Sequence, residues 1–131
     1  MGGLNGGNYM IRYTNLHTIG DNGELLALDF LENNGFTIIE HKYRFRRFGE
    51  IDIIAQKENL IVFIEVKTRF SERFGGALYS IGPKKKNTIL KTARKFISEN
   101  DKLITKKTIF RFDLIAIKNE TITWVEDIIR R

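Results

Sequence analysis

The chain has 131 residues, 42% of them hydrophobic and 29% charged, and a formal net charge of +6. That length suits one domain with a real core. The lack of cysteine excludes disulfides and thiolate zinc ligands, and no apolar run approaches the ~20 residues of a membrane helix or makes a recognisable signal peptide. A cytoplasmic protein without a membrane partner is expected, and the positive balance favours an anionic partner such as nucleic acid.

Residues 1–20 are rich in Gly and Asn, lack periodicity and read as a flexible tail, His17 included, which leaves 21–131 as a single domain. From about 21 to 34 the pattern is helical, with Asp21 or Asn22 as cap and Gly35 as stop. A rotation of about 100° per residue puts Asp29, Glu32 and Asn33 on one side and Ala27, Leu28, Phe30 and Leu31 on the other. Glu24 falls with the apolar side, where a first-turn glutamate serves either the helix dipole or a metal. Residues 36–45 alternate loosely and read as a strand. Arg44, Arg46 and Arg47 crowd its end and either grip phosphate or form a solvated turn. His41, alone on this strand, reads as a surface residue.

The stretch 48–69, FGEIDIIAQKENLIVFIEVKTR, organises the rest. It reads as two strands, 50–56 and 60–69, joined by Lys57, Glu58 and Asn59 and rich in the Ile, Val and Phe that suit a pleated surface. A hairpin centred between Glu58 and Asn59 sets Asp52 opposite Glu65, Ile51 opposite Val66, Ile53 opposite Ile64 and Ala55 opposite Val62. Alternation then gathers Glu50, Asp52, Glu65 and Lys67 on one face and the apolar partners on the other. Two facing carboxylates, with Cβ atoms roughly 4.5–5.5 Å apart, repel each other and are costly to bury. A hard divalent cation, Mg²⁺ or Mn²⁺, resolves this through oxygen ligands. Lys67 then stands beside the ion to stabilise phosphate charge or orient a water. The plainer reading is a structural ion-pair cluster, Glu65 with Lys67 and Asp52 with an arginine. Glu50, one step nearer the strand end, is an auxiliary ligand or a partner for Arg69.

A long loop follows, 70–82, carrying Arg73, Phe74, Gly75, Gly76 and Tyr79. Aromatics beside arginine stack on unpaired bases or anchor the loop, and Phe74 is expected to anchor. Pro83 starts a helix to about Glu99, with Ile89, Leu90, Ala93, Phe96 and Ile97 buried. Its polar side carries Lys84, Lys85, Lys86, Lys91, Arg94 and Lys95, either solvated or facing phosphate. After a polar loop at 101–107, residues 108–117 form an apolar strand, Asn119 and Glu120 a turn, and 121–125 a last strand. Arg111 and Asp113 are expected to form a supporting ion pair, with Trp124 packed. The order is helix, three strands, helix, two strands, which is an α+β fold with a mixed central sheet flanked by helices.

Asp52 followed by Glu65-Val66-Lys67 resembles the core of the PD-(D/E)xK nucleases, the fold of many restriction enzymes and of archaeal Holliday-junction resolvases. More closely, Gly23-Glu24, Gly49-Glu50-Ile51-Asp52, Phe63-Ile64-Glu65-Val66-Lys67-Thr68-Arg69, Phe74-Gly75 and Arg111-Phe112-Asp113 resemble the YraN-type family of predicted endonucleases. That resemblance covers about residues 20–127. The proline that names the superfamily is replaced here by Ile51. The resemblance implies a restriction-endonuclease-like core and metal-dependent cleavage of DNA phosphodiesters, including branched repair or recombination intermediates. It implies Asp52, Glu65, Glu24 and the Val66 carbonyl as metal ligands, and Glu24, Asp52, Glu65 and Lys67 as the catalytic set. Lys85 matches the family's helix-start lysine; with Lys86, Arg46, Arg47, Arg69 and Arg73 it makes the expected nucleic-acid contacts. Paired cutting of branched DNA needs a two-fold homodimer, for which the sequence shows no interface. The competing expectations are a non-catalytic nucleic-acid-binding module that keeps the fold and a protein-interaction adaptor.

Overall fold

The computed structural model describes residues 7–10, 19–68, 81–118 and 121–129. Residues 60–64, Leu-Ile-Val-Phe-Ile, are apolar without alternation, so a strand here must be covered on both faces. They lie in β4 (Leu60–Lys67). It pairs antiparallel with β3 (Gly49–Lys57) and parallel with β5 (Ile109–Lys118). With β1 (Gly7–Met10), β2 (Thr37–Phe45) and β6 (Thr121–Val125), these strands form a six-stranded sheet in the order β1-β6-β5-β4-β3-β2. The other pairings are antiparallel.

One helix covers each face. From α1 (Ile19–Asn33), Ala27, Phe30 and Leu31 pack against Ile53, Ala55, Val62, Ile64 and Trp124. From α2 (Pro83–Glu99), Ile89, Ala93 and Phe96 pack against Ile51, Ile54, Phe63 and Phe112. The fold is α+β with a mixed sheet, and helix, three strands, helix and two strands follow one another as expected, an arrangement compatible with a restriction-endonuclease-like core. Among the described residues no helix is long and apolar enough to cross a membrane.

Four expectations need correction. Residues 7–10 are not part of a structureless tail: they form an edge strand on β6, where Tyr9 pairs with Ile122. The first helix begins at Ile19, so Asp21 and Asn22 lie within it instead of capping it. The charges do not collect on one face with the apolar residues on the other, because both faces are apolar and helix-covered; the acids sit near the strand ends. Asp52 and Glu65 are not direct ladder partners, since the β3–β4 ladder runs only from Lys57↔Leu60 to Ile53↔Ile64. The short helical turn Asp101–Leu103 interrupts the polar loop. The expected turn at Asn119 and Glu120, like His17, lies outside the described residues.

The stop at Gly35 holds. Its φ of +89° lets the chain close α1 with the Phe36 N–H on the Leu31 carbonyl at 3.0 Å and the Gly35 N–H on the Glu32 carbonyl at 3.1 Å.

Candidate metal and phosphate site

Beyond Ile53 and Ile64 the two central strands part, while β4 stays paired with β5 through Glu65↔Leu114, Val66↔Ile115 and Lys67↔Ala116. A forked pair strands a backbone donor, and buried donors require acceptors. The Asp52 side chain supplies one: the Val66 N–H donates to Asp52 Oδ2 at 2.8 Å. Asp52 therefore sits in the fork, in the place of a ladder bond. Glu65 follows Phe63 by alternation toward the α2 face, where Lys85 Nζ lies 3.4 Å from its Oε2.

Burial and crowding govern the protons. Asp52 is pushed up to about 7, first by burial and then by the Glu65 carboxylate, with smaller repulsions from Glu24 and Glu50 and the Val66 N–H acting in the opposite direction. Burial also raises Glu65, opposed by Lys85 and then Lys67, with Glu24 adding repulsion. The pair thus holds a proton more readily than two ordinary carboxylates.

Glu24 reaches this neighbourhood because its predecessor is glycine. A Cβ on Gly23 would fall 1.9 Å from Thr68 Cγ2, so only glycine lets α1 lie this close to the end of β4. Glu24 Oε1 is 2.8 Å from Nε2 of His41 on β2. Reading the sequence missed this pairing, which carries no periodic signal: it depends on how α1 seats against the edge strand.

The structure thus brings Glu24, Asp52, Glu65, Lys67 and Lys85 to one end of the sheet, Lys67 and Lys85 being near enough to lower the Glu65 pKa. Val66 joins them through its amide. Among the described residues, no three acidic or histidine side chains close into a ready-made ligand cluster. Each acid holds a protein partner instead: Asp52 the Val66 amide, Glu65 the Lys85 amine, Glu24 the His41 ring. Glu50 is held by Arg44, its cross-strand partner, with Nε 2.8 Å from Oε2. Arg46 and Arg47 are exposed in the turn joining β2 to β3, and Lys86 is half-buried in the first turn of α2. Arg69, Arg73, Phe74, Gly75, Gly76 and Tyr79 lie outside the described residues.

The expected Arg111–Asp113 pair is present and deeply placed. Asp113 is 0% exposed and accepts from Arg111 Nη2, Trp124 Nε1 and the Asp127 N–H at 2.8, 2.8 and 2.9 Å. It anchors β5 and β6 on the far side of β4 from the fork.

A family model described as uncharacterised protein family UPF0102 matches residues 23–117. This chain belongs to that family. A UPF0102 protein of Sulfurihydrogenibium sp. (strain YO3AOP1) is 45% identical over 101 residues, covering 77% of this chain and 84% of its own. A UPF0102 protein of Clostridium botulinum (strain Hall) is 46% identical over 99 residues, covering 76% and 78%. The span matched by the UPF0102 model opens at Gly23 and closes at Ile117, taking in Glu24, Asp52, Glu65, Lys67 and Lys85.

Proposed function

We propose that this UPF0102 protein is a divalent-cation-dependent phosphodiesterase of the PD-(D/E)xK nuclease type that cuts DNA internally. The observation that carries this reading is the pair of half-buried carboxylates at the strand fork, Asp52 and Glu65, with two lysines around the second. Burial drives both acids above their ordinary range, with the Glu65 carboxylate adding to the rise of Asp52 and Glu24 to that of Glu65, a condition that a hard cation relieves by letting both ionise.

Asp52 and Glu65 would hold Mg²⁺ or Mn²⁺, with Glu24 and the Val66 carbonyl as further oxygen donors. Bound there, the cation neutralises the two carboxylates and polarises a phosphoryl oxygen. The Val66 N–H fixes the orientation of Asp52. Lys67, on the same strand as Glu65, offsets the charge that grows on the phosphate during displacement. Lys85 and Lys86 at the start of α2, together with Arg46 and Arg47, supply sequence-independent contacts to neighbouring phosphates, which weaken with salt. The basic balance of +6 agrees with a polyanionic partner.

The test is a panel of single-stranded, duplex, flapped and four-way DNA with Mg²⁺ or Mn²⁺, run beside Asp52→Asn, Glu65→Ala and Lys67→Ala. Cation-dependent cutting by the parent chain that is lost in all three variants is the expected result. Undiminished cutting by Lys67→Ala overturns the assignment. A second reading, a nucleic-acid-binding module that keeps the fold without cutting, is favoured by the fact that the described acids each hold a protein partner and do not form a ligand cluster. It predicts binding indifferent to the cation and to Asp52→Asn.

A further inference from the structure

The turn between β2 and β3, residues 46–48, carries an aromatic ring that lies largely in solvent: Phe48 is 55% exposed, beside exposed Arg46 and Arg47. Single exposed apolar residues are ordinary. This one is tied to its own hairpin by two contacts. Its N–H donates to the Phe45 carbonyl at 2.8 Å, and its ring meets the Phe45 ring at 5.2 Å between centroids. Lys95 of α2 also lies against the Phe45 ring, with Nζ 5.7 Å from the centroid. Arg44 and Glu50 clamp the base of the hairpin, and Gly49 sits so close to α2 that a Cβ there would fall 2.3 Å from Thr88 Cγ2. Arg46 takes φ 50°, a conformation that side chains disfavour. The turn is thus braced at its base, with an arginine in the left-handed region and an aromatic ring facing outward.

The ring also stands in a telling place. Phe48 leads directly into β3, and Asp52 follows four residues later. At about 3.3 Å per residue the two are roughly 13 Å apart along the strand, within a few nucleotides of chain. An apolar ring flanked by two guanidinium groups is complementary to a base flanked by phosphates; an intact duplex exterior offers the phosphates without an unstacked base.

We propose that Phe48 is a stacking platform for an unpaired base, with Arg46 and Arg47 on the adjoining phosphates, so that the chain engages nucleic acid carrying single-stranded or splayed segments in preference to uniform duplex. Only the consequence for cleavage rests on the phosphodiesterase reading; the binding does not. Aromatic stacking on a base is sequence-tolerant, and its removal typically weakens binding by roughly tenfold or more.

The experiment is fluorescence anisotropy in EDTA, where no cation-dependent cutting occurs, on three labelled probes: an oligothymidylate of roughly 20 nucleotides, a blunt duplex of equal length, and that duplex with a single-stranded flap. Phe48→Ala is expected to weaken the oligothymidylate and flap complexes about tenfold and leave the blunt duplex unchanged, with the salt dependence intact. Phe48→Trp should keep the preference. Arg47→Ala should weaken all three alike and flatten the salt dependence. Equal loss on all three probes with Phe48→Ala, or no loss, overturns the proposal. So does failure of the parent chain to bind any probe, which would return Phe48 to the class of protein-contact residues. Binding as expected without cation-dependent cutting sinks the phosphodiesterase reading and leaves this one standing. Cutting that is indifferent to Phe48→Ala on the flapped duplex, with unchanged binding, does the reverse.

Discussion

The Glu24 carboxylate and the His41 ring meet at 2.8 Å between α1 and β2, so an acid near the strand fork is steadied by the edge strand. Partners that orient ligand carboxylates are worth roughly 10–100-fold in metal affinity. His41→Ala is therefore expected to weaken Mn²⁺ binding about tenfold in a calorimetric titration. His41→Gln, which can still donate, should recover most of it. Equal Mn²⁺ affinity in all three proteins would remove Glu24 from the ligand set.

The raised Asp52 carboxyl makes a prediction about stability. Its ordinary value is 3.8 and its folded value about 7, so between these the folded chain holds a proton that the unfolded chain has released. Stability contributed by that proton is fully present below 3.8 and is lost as pH rises through about 7. Asp52→Asn keeps an acceptor for the Val66 amide without the charge. It should leave stability nearly unchanged below pH 4 and raise it by on the order of 1–3 kcal/mol at pH 8. Thermal unfolding across that range decides it; a variant less stable than the parent at pH 8 would contradict the burial argument.

Divalent cation should act in the same direction as the asparagine, through a different route. Millimolar Mg²⁺ or Mn²⁺ is expected to raise the melting temperature of the parent chain at pH 8, and EDTA to reverse it, because a ligand that binds only the folded state stabilises it. Asp52→Asn should lose that response. A parent chain whose melting point ignores both cations would argue for the binding-module reading.

Asp113 tests the opposite side of β4. Its carboxylate is fully buried under Arg111, Trp124 and the Asp127 amide. Asp113→Ala leaves those donors unmet and should cost about 3–5 kcal/mol in urea denaturation. A loss under about 1 kcal/mol would mean that water replaces the carboxylate.

At the Gly23–Thr68 contact, the clash is with one methyl. Gly23→Ala should destabilise by roughly 1–3 kcal/mol, since its Cβ would fall 1.9 Å from Thr68 Cγ2. Adding Thr68→Ser removes that methyl and should restore most of the loss, giving a clear coupling in a double-mutant cycle.

Much of this was legible in the residues. The pairing from Lys57↔Leu60 to Ile53↔Ile64 follows from where the turn residues sit and from the β-branched runs beside them. Pro83 and the Ile89, Ala93, Phe96 stripe announce α2, and the Arg111–Asp113 pair announces itself by alternation. What was not legible depends on tertiary context. The fork exists because β4 keeps company with β5 while β3 turns away, and no local pattern in either strand records that choice. The misassigned faces had a visible warning: the unbroken run Leu60 to Ile64 signals cover on both sides, which alternation among the charges conceals. The strand at residues 7–10 has Gly and Asn in place of β-formers and is held by β6 alone. The His41–Glu24 contact comes from geometry across elements, not from spacing along one.

The contact between Lys85 and Glu65, 3.4 Å apart, ties the opening turn of α2 to β4. In the proposed reaction that amine changes hands. With a cation held at Glu65, that carboxylate would no longer need Lys85, and the amine would be available to an anionic strand. Metal loading and substrate capture would then reinforce each other, each making the other's counter-charge available, without any moving lid.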